Sequence, residues 1–565
     1  MRRSILAICW GALGVIAPVH AASIAAPEPA SGWQAKPAVQ AERFMAVTAH
    51  PLATQAAVDV LSNGGTAVDA AVAAQMVLNL VEPQSSGIGG GAFMLYWDAA
   101  TRQLHTLDGR ETAPAAADAN YFLDTNGAPL KWREAMVGGR AVGVPGTLHL
   151  LHTAHNLFGK KPWAELFKPG ITLATEGFSV SPRLAQSIAS AADRGLLKFA
   201  PARGYFFTAS GDPLPVGFTL KNQLFANTLR QISQEGITPF YQGAITQRLL
   251  KALENTSARP ALMTTEDLAG YRTILRPPVC APYRSYSVCG MGPPSSGALT
   301  VGQILGLVER FDLPRLGPSP QSIHLILEAS RLAFADRARY MADIDFVPVP
   351  VVGLLDSDYL SERSRMIHAD SSIGKASAGI PPGVLSANAT VYQSESAGTS
   401  HLSIVDALGN IVSMTTTIES GFGSRLMTDG FLLNNELTDF SFIKEREGLS
   451  VANRVEGGKR PRSSMAPTIV FDSHGEPVLV TGSPGGSRII CYVAQSLVGV
   501  LDWGMSPQQA VSMPHFCNRN GKTDLEPAET TAPLDLALQA IGHQTRVRDL
   551  NSGLHVIQVL PGGQL

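Results

Sequence analysis

The stretch of residues 399–417 alternates apolar and polar side chains with the period of two that is typical of β-strands. Residues 402–406 and 411–417 flank a Gly409-Asn410 turn signal, so they predict a β-hairpin. Residues 468–471 and 477–481 predict a second hairpin, and residues 555–560 predict a late strand. The C-terminal third of the chain is therefore expected to be rich in strands.

The N-terminal part shows helical periodicity instead. Residues 51–61 predict a helix that ends at Asn63-Gly64-Gly65, and Thr66 with Asp69 caps a second helix that continues to residue 80. This second helix is apolar on nearly every side, which predicts that it is buried. Residues 322–341 predict a long helix. The chain as a whole is expected to be of the α/β class.

Length and charge exclude several classes of protein. The chain has 565 residues, with 44 Lys and Arg against 46 Asp and Glu, and no basic tract. It is long enough for one large or two intertwined domains, and nucleic acid is not an expected partner. No Walker loop, HExxH motif or CxxC spacing is present, so we expect no cofactor and no metal.

Residues 1–21 have the pattern of a secretory signal peptide. Arg2 and Arg3 precede an apolar run that is short for a membrane span, and Val19-His20-Ala21 offers small residues for cleavage. An uncleaved anchor is the alternative, and no later segment is apolar enough to span a bilayer. The pattern predicts a periplasmic or secreted protein in which cysteines can pair.

The first predicted hairpin begins at Gly398-Thr399-Ser400-His401, where a small residue, Gly398, precedes a hydroxyl residue, Thr399. If the bond between Gly398 and Thr399 is cut, Thr399 carries both a hydroxyl nucleophile and a free α-amine. The amine can then serve as the base for the hydroxyl of the same residue. The motif alone is weak, because threonine often opens a strand.

Two glycine-rich segments are candidate ligand-binding loops. Residues 87–92 match a dinucleotide fingerprint formally, but a strand rather than a helix is predicted to follow, which argues against nucleotide binding. Residues 481–487 contain Gly485-Gly486, whose N–H groups could stabilise an oxyanion, although a tight turn is the simpler interpretation. Arg110, together with Ser463 and Ser464, could bind a carboxylate, or these residues could form a surface ion pair and a turn cap.

Several longer motifs occur together, and with them the sequence closely resembles the γ-glutamyltransferase (glutathione hydrolase proenzyme) family of N-terminal-nucleophile hydrolases over nearly all of the mature chain. The motifs that carry the resemblance are residues 82–91, 108–111, 293–297, 432–440, 459–468 and 482–486.

This resemblance implies a four-layer αββα sandwich formed jointly by two fragments of a self-cleaved precursor. The fragments would be a large subunit, residues 22–398, and a small catalytic subunit, residues 399–565, cut between Gly398 and Thr399. It implies that Thr399 is the nucleophile, that Thr417 holds it, and that Gly485 and Gly486 form the oxyanion hole. The implied binders of the γ-glutamyl α-carboxylate are Arg110, Ser463 and Ser464, and those of the α-amine are Glu419, Glu436 and Asp439.

The implied activity is transfer of the γ-glutamyl group of glutathione and related compounds to water or to amino acids and peptides. Residues 442–458 resemble the lid-loop region of the family but look short, which predicts an open acceptor side. One alternative is a cephalosporin acylase that cuts a glutaryl side chain. The acidic residues placed around an amine argue against it, because glutaryl has no amine to pair with them. A catalytically silent secreted binding protein is an alternative of another class, and it need not cut itself.

The cysteine pattern predicts one disulfide. If Arg284-Ser285 is the turn of a short hairpin, then Tyr283 faces Tyr286 and Cys280 faces Cys289, close enough to bridge. Cys491 lies in an apolar helical run and is expected to be a buried free thiol.

Overall fold

The computed structural model describes residues 36–254, 256, 260–385, 388–392, 398–550 and 552–565. The predicted signal segment, residues 1–21, lies outside the described residues. The strands are β1 (Met45–Thr48), β2 (Gly91–Asp98), β3 (Gln103–Gly109), β4 (Phe178–Ser179), β5 (Thr219–Leu220), β6 (Ile274–Arg276), β7 (Val279–Tyr283), β8 (Tyr286–Gly290), β9 (Thr399–Val405), β10 (Ile411–Thr417), β11 (Met427–Thr428), β12 (Phe431–Leu432), β13 (Glu445–Arg446), β14 (Leu449–Ser450), β15 (Thr468–Phe471), β16 (Pro477–Gly482), β17 (Phe516–Asn518), β18 (Thr523–Leu525), β19 (Thr545–Val547) and β20 (His555–Gln558).

The helices surround these strands. They are α1 (Pro51–Ser62), α2 (Ala67–Val81), α3 (Trp132–Ala135), α4 (Thr147–Phe158), α5 (Lys168–Glu176), α6 (Pro182–Ala191), α7 (Ala200–Phe206), α8 (Gln223–Glu235), α9 (Thr238–Gln242), α10 (Ala244–Leu253), α11 (Thr265–Gly270), α12 (Gly297–Val308), α13 (Leu313–Leu316), α14 (Pro320–Tyr340), α15 (Val351–Leu354), α16 (Ser357–Ser364), α17 (Ile489–Leu501), α18 (Pro507–Ser512) and α19 (Thr531–Ala540). No helix in the described ranges is both long and apolar enough to cross a membrane.

Two antiparallel sheets form the centre of the molecule. The first has the strand order β1-β9-β10-β2-β3-β6, and the second has the order β20-β16-β15-β8-β7. Helices α2 and α4 pack on the first sheet, and α12 and α17 pack on the second. The layers are therefore helix, sheet, sheet and helix, as the α/β four-layer expectation required.

The side chains of β2 alternate between two hydrophobic cores, one on each face of the first sheet. Ala92, Met94 and Tyr96 pack with the helices, whereas Phe93, Leu95 and Trp97 face the second sheet. The ring of Trp97 lies 4.9 Å from that of Phe471 in β15. Because successive side chains of a strand point to opposite faces, both faces of this sheet are buried.

The predicted local structure is largely confirmed. Helix α2 begins after Thr66, whose hydroxyl and the carboxylate of Asp69 form a reciprocal capping box, and all of its residues are buried. The predicted 399–417 hairpin is β9–β10. The predicted 468–481 hairpin is β15–β16, with a bulge between Val470 and Phe471.

The cysteine predictions have different outcomes. The register of β7 and β8 is the expected one, with Cys280 opposite Cys289, and the structure joins these residues in a disulfide. The expectation of a free thiol at Cys491 is wrong. The structure joins Cys491 in α17 to Cys517 in β17, because β17 packs against this helix and brings the two Cα atoms to 5.5 Å. Helical periodicity around Cys491 could not show what packs on the helix.

Candidate active site

Thr399 is the first residue of β9, the second strand of the first sheet. Its strand pairs with β1 on one side and β10 on the other, and Thr399 is directly opposite Thr417. Alternation along the two strands turns both side chains toward the second sheet. Only 5 % of Thr399 is exposed, so the hydroxyl is held inside the molecule rather than at a solvated strand end.

Thr417 connects the two sides of the predicted cleavage bond. Its hydroxyl donates to the carbonyl oxygen of Gly398 at 2.7 Å and accepts from the backbone N–H of Glu419 at 2.8 Å. The Thr399 hydroxyl lies 3.4 Å from the Thr417 hydroxyl. A donor on the Gly398 carbonyl polarises the carbon that the Thr399 hydroxyl would attack.

The residue that supplies the carbonyl of this bond, Gly398, has no room for a side chain. A Cβ atom on Gly398 would lie 2.4 Å from the carbonyl oxygen of Glu419. Gly90 shows the same close approach, since a Cβ there would lie 1.9 Å from the carbonyl oxygen of Thr417. The other glycines of residues 87–91 are also closely packed, Gly87 against Asn79, Gly89 against Leu432 and Gly91 against Glu111. Close packing therefore accounts for a motif that resembles a dinucleotide loop without its context.

The second glycine-rich segment follows β16. A Cβ atom on Gly482 would lie 2.2 Å from the ring of His401, so the end of β16 rests on β9 two residues beyond Thr399. Gly485 and Gly486 both have positive φ angles, 133° and 60°. Within the described residues neither backbone N–H has a hydrogen-bond partner, which suits an oxyanion site beside this strand.

Arg110 is almost fully buried and pairs with two of the predicted amine binders. Its guanidinium bonds to Glu436 and, at 2.6 Å, to Asp439. It also donates to the carbonyl oxygens of Pro461 and Arg462 at 3.1 and 2.9 Å. Burial alone would lower the pKa of Arg110, but the charges of Glu436 and Asp439 raise it. The structure therefore brings the two predicted ends of the substrate pocket into direct contact.

The remaining predicted binders lie in the adjoining loops. The Glu419 carboxylate accepts from the side-chain amide of Asn435 at 2.6 Å, and Glu419 has a φ of 75°. Ser464 accepts a 2.6 Å bond from Arg337 of α14. Ser463 donates its backbone N–H to Pro294 at 3.0 Å, so two of the sequence motifs meet beside the Arg110 cluster.

Glu111 is a member of this cluster that the sequence reasoning did not single out. It is fully buried, and neither carboxylate oxygen has a hydrogen-bond partner in the described part of the chain. Burial, and then the neighbouring charge of Glu436, raise the pKa of Glu111 well above its ordinary value. Glu111 Oε2 lies 3.9 Å from Arg110 Nη1, so this carboxyl group belongs to the same buried charge cluster. The sequence feature that could have indicated Glu111 is its position next to Arg110 in the 108–111 motif.

One group of metal-ligating types occurs in the described residues, away from this site. His324, Glu328 and His543 are buried with ligand atoms within 4.8 Å of one another. However, His324 Nδ1 and His543 Nε2 are 2.7 Å apart in a hydrogen bond, and Arg331 donates to Glu328 at 3.0 Å. The group is therefore a buried hydrogen-bond network that connects α14 to the C-terminal part of the chain.

Comparisons with known proteins give a consistent result. A family model described as gamma-glutamyltranspeptidase matches residues 53–565. The chain is 39 % identical over 481 residues to a glutathione hydrolase proenzyme of Bacillus subtilis (strain 168), covering 84 % of this chain and 80 % of the relative. It is 35 % identical over 536 residues to a glutathione hydrolase proenzyme of Escherichia coli (strain K12), covering 93 % and 90 %.

A solved structure supports the same fold. The crystal structure of cephalosporin acylase from Bacillus halodurans superposes with a TM-score of 0.82 at 27 % identity, covering 95 % of this chain and 96 % of that chain. The relatives thus include both proteins named for glutathione hydrolysis and one named for cephalosporin acylation.

Proposed function

Because the chain belongs to the gamma-glutamyltranspeptidase family, we propose that it is a self-cleaving γ-glutamyltransferase and glutathione hydrolase with Thr399 as its nucleophile. The observation that carries this proposal is the pairing of Thr399 with Thr417, whose hydroxyl binds the Gly398 carbonyl oxygen at 2.7 Å. A hydroxyl, an adjacent carbonyl carbon and a donor on that carbonyl are the parts that cleavage of the Gly398–Thr399 bond requires.

Self-cleavage is proposed to proceed through an ester. The Thr399 oxygen attacks the Gly398 carbonyl carbon, the C–N bond breaks, and the freed nitrogen keeps the proton that leaves the hydroxyl. Water then hydrolyses the ester and restores the Thr399 hydroxyl. The products are a large fragment of 377 residues (22–398) and a small one of 167 residues (399–565).

The freed α-amine then becomes the catalytic base. It takes the proton of the Thr399 hydroxyl while the oxygen attacks the γ-carbonyl of the donor, and the N–H groups of Gly485 and Gly486 stabilise the oxyanion. The protonated amine gives its proton to the departing amine, which leaves a γ-glutamyl ester on Thr399. Water or an acceptor amine resolves this ester.

The charges around Arg110 favour a zwitterionic acyl group over a glutaryl group. One guanidinium faces the carboxylates of Glu436 and Asp439. An α-ammonium group compensates for the charge when the substrate α-carboxylate approaches Arg110. A glutaryl group would instead add a third carboxylate without a cation, which is costly in a buried site.

Export is part of the proposal. The pattern of residues 1–21 supports secretion to the periplasm or beyond, and the two disulfides suit an oxidising compartment. We propose that the two fragments stay together, because β9 and β10 lie between β1 and β2 of the other fragment.

A comparison of donors tests the activity. Purified protein is incubated with glutathione and, separately, with glutaryl-7-aminocephalosporanic acid, and product release is quantified, with Thr399→Ala as the inactive control. We expect glutathione to be cleaved far faster. A faster release from the glutaryl compound would instead assign an acylase, and equal activity of Thr399→Ala would remove Thr399 from the mechanism.

A further inference from the structure

Two residues beyond Thr399, a buried histidine fills the space between the two central sheets. His401 lies on the face of β9 that Thr399 shares, and its side chain is fully buried. A Cβ atom on Gly482, the last residue of β16, would lie 2.2 Å from Cε1, 2.4 Å from Nδ1 and 2.6 Å from Nε2 of this ring. Because three ring atoms lie at similar short distances from that point, the ring packs directly against the backbone of Gly482.

The ring of His401 is held in place by its own strand and by the next one. Its Nδ1 is 2.9 Å from the hydroxyl of Thr415, the residue opposite it in β10, and its Nε2 is 3.1 Å from the hydroxyl of Ser403. Burial, and then the neighbouring His555, lower the pKa of His401 well below its ordinary value, so the ring is neutral. Both nitrogens are engaged with hydroxyls, and neither is available as a base for Thr399.

Gly482 leads directly into the loop that carries the proposed oxyanion donors, residues 483–486. The loop has a second close contact further along the chain, since a Cβ atom on Gly553 would lie 2.8 Å from Cγ of Pro484. Its start is thus fixed between two packed surfaces. On the side of the nucleophile, the surface that fixes it is the ring of His401.

We propose that His401 is a positioning residue for the oxyanion site, which holds residues 483–486 at the distance from Thr399 that the reaction needs. This inference rests on the proposed function. The N–H groups of Gly485 and Gly486 stabilise an oxyanion only if they point at the place where the charge develops, and a displacement of about 1 Å can slow a reaction about 100-fold. The ring sets this separation because it lies between β9 and the end of β16, and it does so without touching the substrate.

This role separates turnover from self-cleavage. During self-cleavage the oxyanion forms on Gly398, whose carbonyl oxygen is bound by the Thr417 hydroxyl. During turnover the oxyanion forms on the donor, at the glycine loop. A change at His401 should therefore slow turnover and leave the precursor able to cut itself. Because the same loop serves formation and hydrolysis of the ester, both steps should slow together, and the KM for the donor should change little.

Two substitutions disturb this contact from opposite sides. His401→Ala removes the ring, and Gly482→Ala adds a methyl group where the ring already lies. We expect each variant to be cut into its two fragments and to hydrolyse glutathione with a kcat lowered about 10-fold to 100-fold. Because the two residues are in contact, the double variant should lose less activity than the product of the two single losses.

His324→Ala is the matched control. It removes an equally buried imidazole from α14, outside the contact between β9 and β16, and should lower the melting temperature without changing kcat. The inference is overturned if a self-cleaved His401→Ala or Gly482→Ala protein keeps the wild-type kcat, if the two losses simply multiply, or if neither single variant cuts itself. If only one of them is cut, its kcat decides alone. If the wild-type protein does not hydrolyse glutathione, the proposed function itself fails.

Discussion

Replacing Thr417 by valine removes one hydroxyl from the centre of the proposed cleavage site and keeps the shape of the side chain. That hydroxyl donates to the Gly398 carbonyl oxygen at 2.7 Å and accepts from the Glu419 N–H at 2.8 Å. Without it, both backbone groups lose a partner inside the protein. Each loss costs about 1–3 kcal/mol of stability, so the precursor is expected to fold but to melt at a lower temperature.

The effect on self-cleavage should be larger than the effect on folding. As the Thr399 oxygen attacks, negative charge develops on the Gly398 carbonyl oxygen, which is the atom that the Thr417 hydroxyl contacts. Loss of one such donor slows a reaction by about 10²–10³-fold, or about 2.7–4 kcal/mol. We expect Thr417→Val protein to accumulate as one chain, and Thr417→Ser, which keeps the hydroxyl, to be cut.

The neighbouring threonine provides a matched control. The hydroxyl of Thr416 is buried and has no hydrogen-bond partner in the described residues, so Thr416→Val makes the same chemical change without removing a bond. The assay follows purified precursor over time on a denaturing gel, with thermal melting as the measure of folding. Folded Thr417→Val protein that is cut as fast as Thr416→Val protein would refute the role assigned to Thr417.

Three further expectations follow from the site and the core. Arg110→Lys keeps the charge but loses the two-pronged geometry, so the KM for a γ-glutamyl donor should rise about tenfold to a hundredfold, and an unchanged KM would contradict the assignment. Mass spectrometry of non-reduced peptides should find Cys280 linked to Cys289 and Cys491 linked to Cys517, and free thiols in exported protein would contradict the pairing. The free energy of unfolding should fall as the pH drops from about 6.5 toward 4, because burial keeps several histidines neutral that take up protons on unfolding, and a flat profile of thermal melting against pH would contradict this. Burial lowers their pKa to about 3 for His515 and about 4 for His543 and His555.

The hairpins were predictable because the signals that determine them are local. Alternation in residues 402–406 and 411–417, with a glycine turn between them, predicted the hairpin of β9 and β10, and the structure adds the register that places Thr399 opposite Thr417. The pairing of Cys280 with Cys289 followed in the same way from a two-residue turn. In each case a short turn joins the two paired strands, so the geometry of the turn decides which residues lie opposite each other.

The contacts that depend on distant segments could not be predicted from such patterns. Alternation alone does not show that the polar face of β9 is covered by a second sheet, or that Cys517 packs against α17. The direct pairing of Arg110 with Glu436 and Asp439 joins residues more than 300 positions apart.

The burial of Thr399 at the start of β9, opposite Thr417 of β10, bears on the durability of the catalyst. In the proposed mature form, the chain terminus that carries the catalytic amine is a buried residue, of which only 5 % is exposed. Aminopeptidases and acetyltransferases bind a terminus in an extended, accessible form, and a terminus of this kind is withheld from them. The group on which every turnover depends is thus shielded from enzymatic trimming and capping for as long as the two fragments remain folded together.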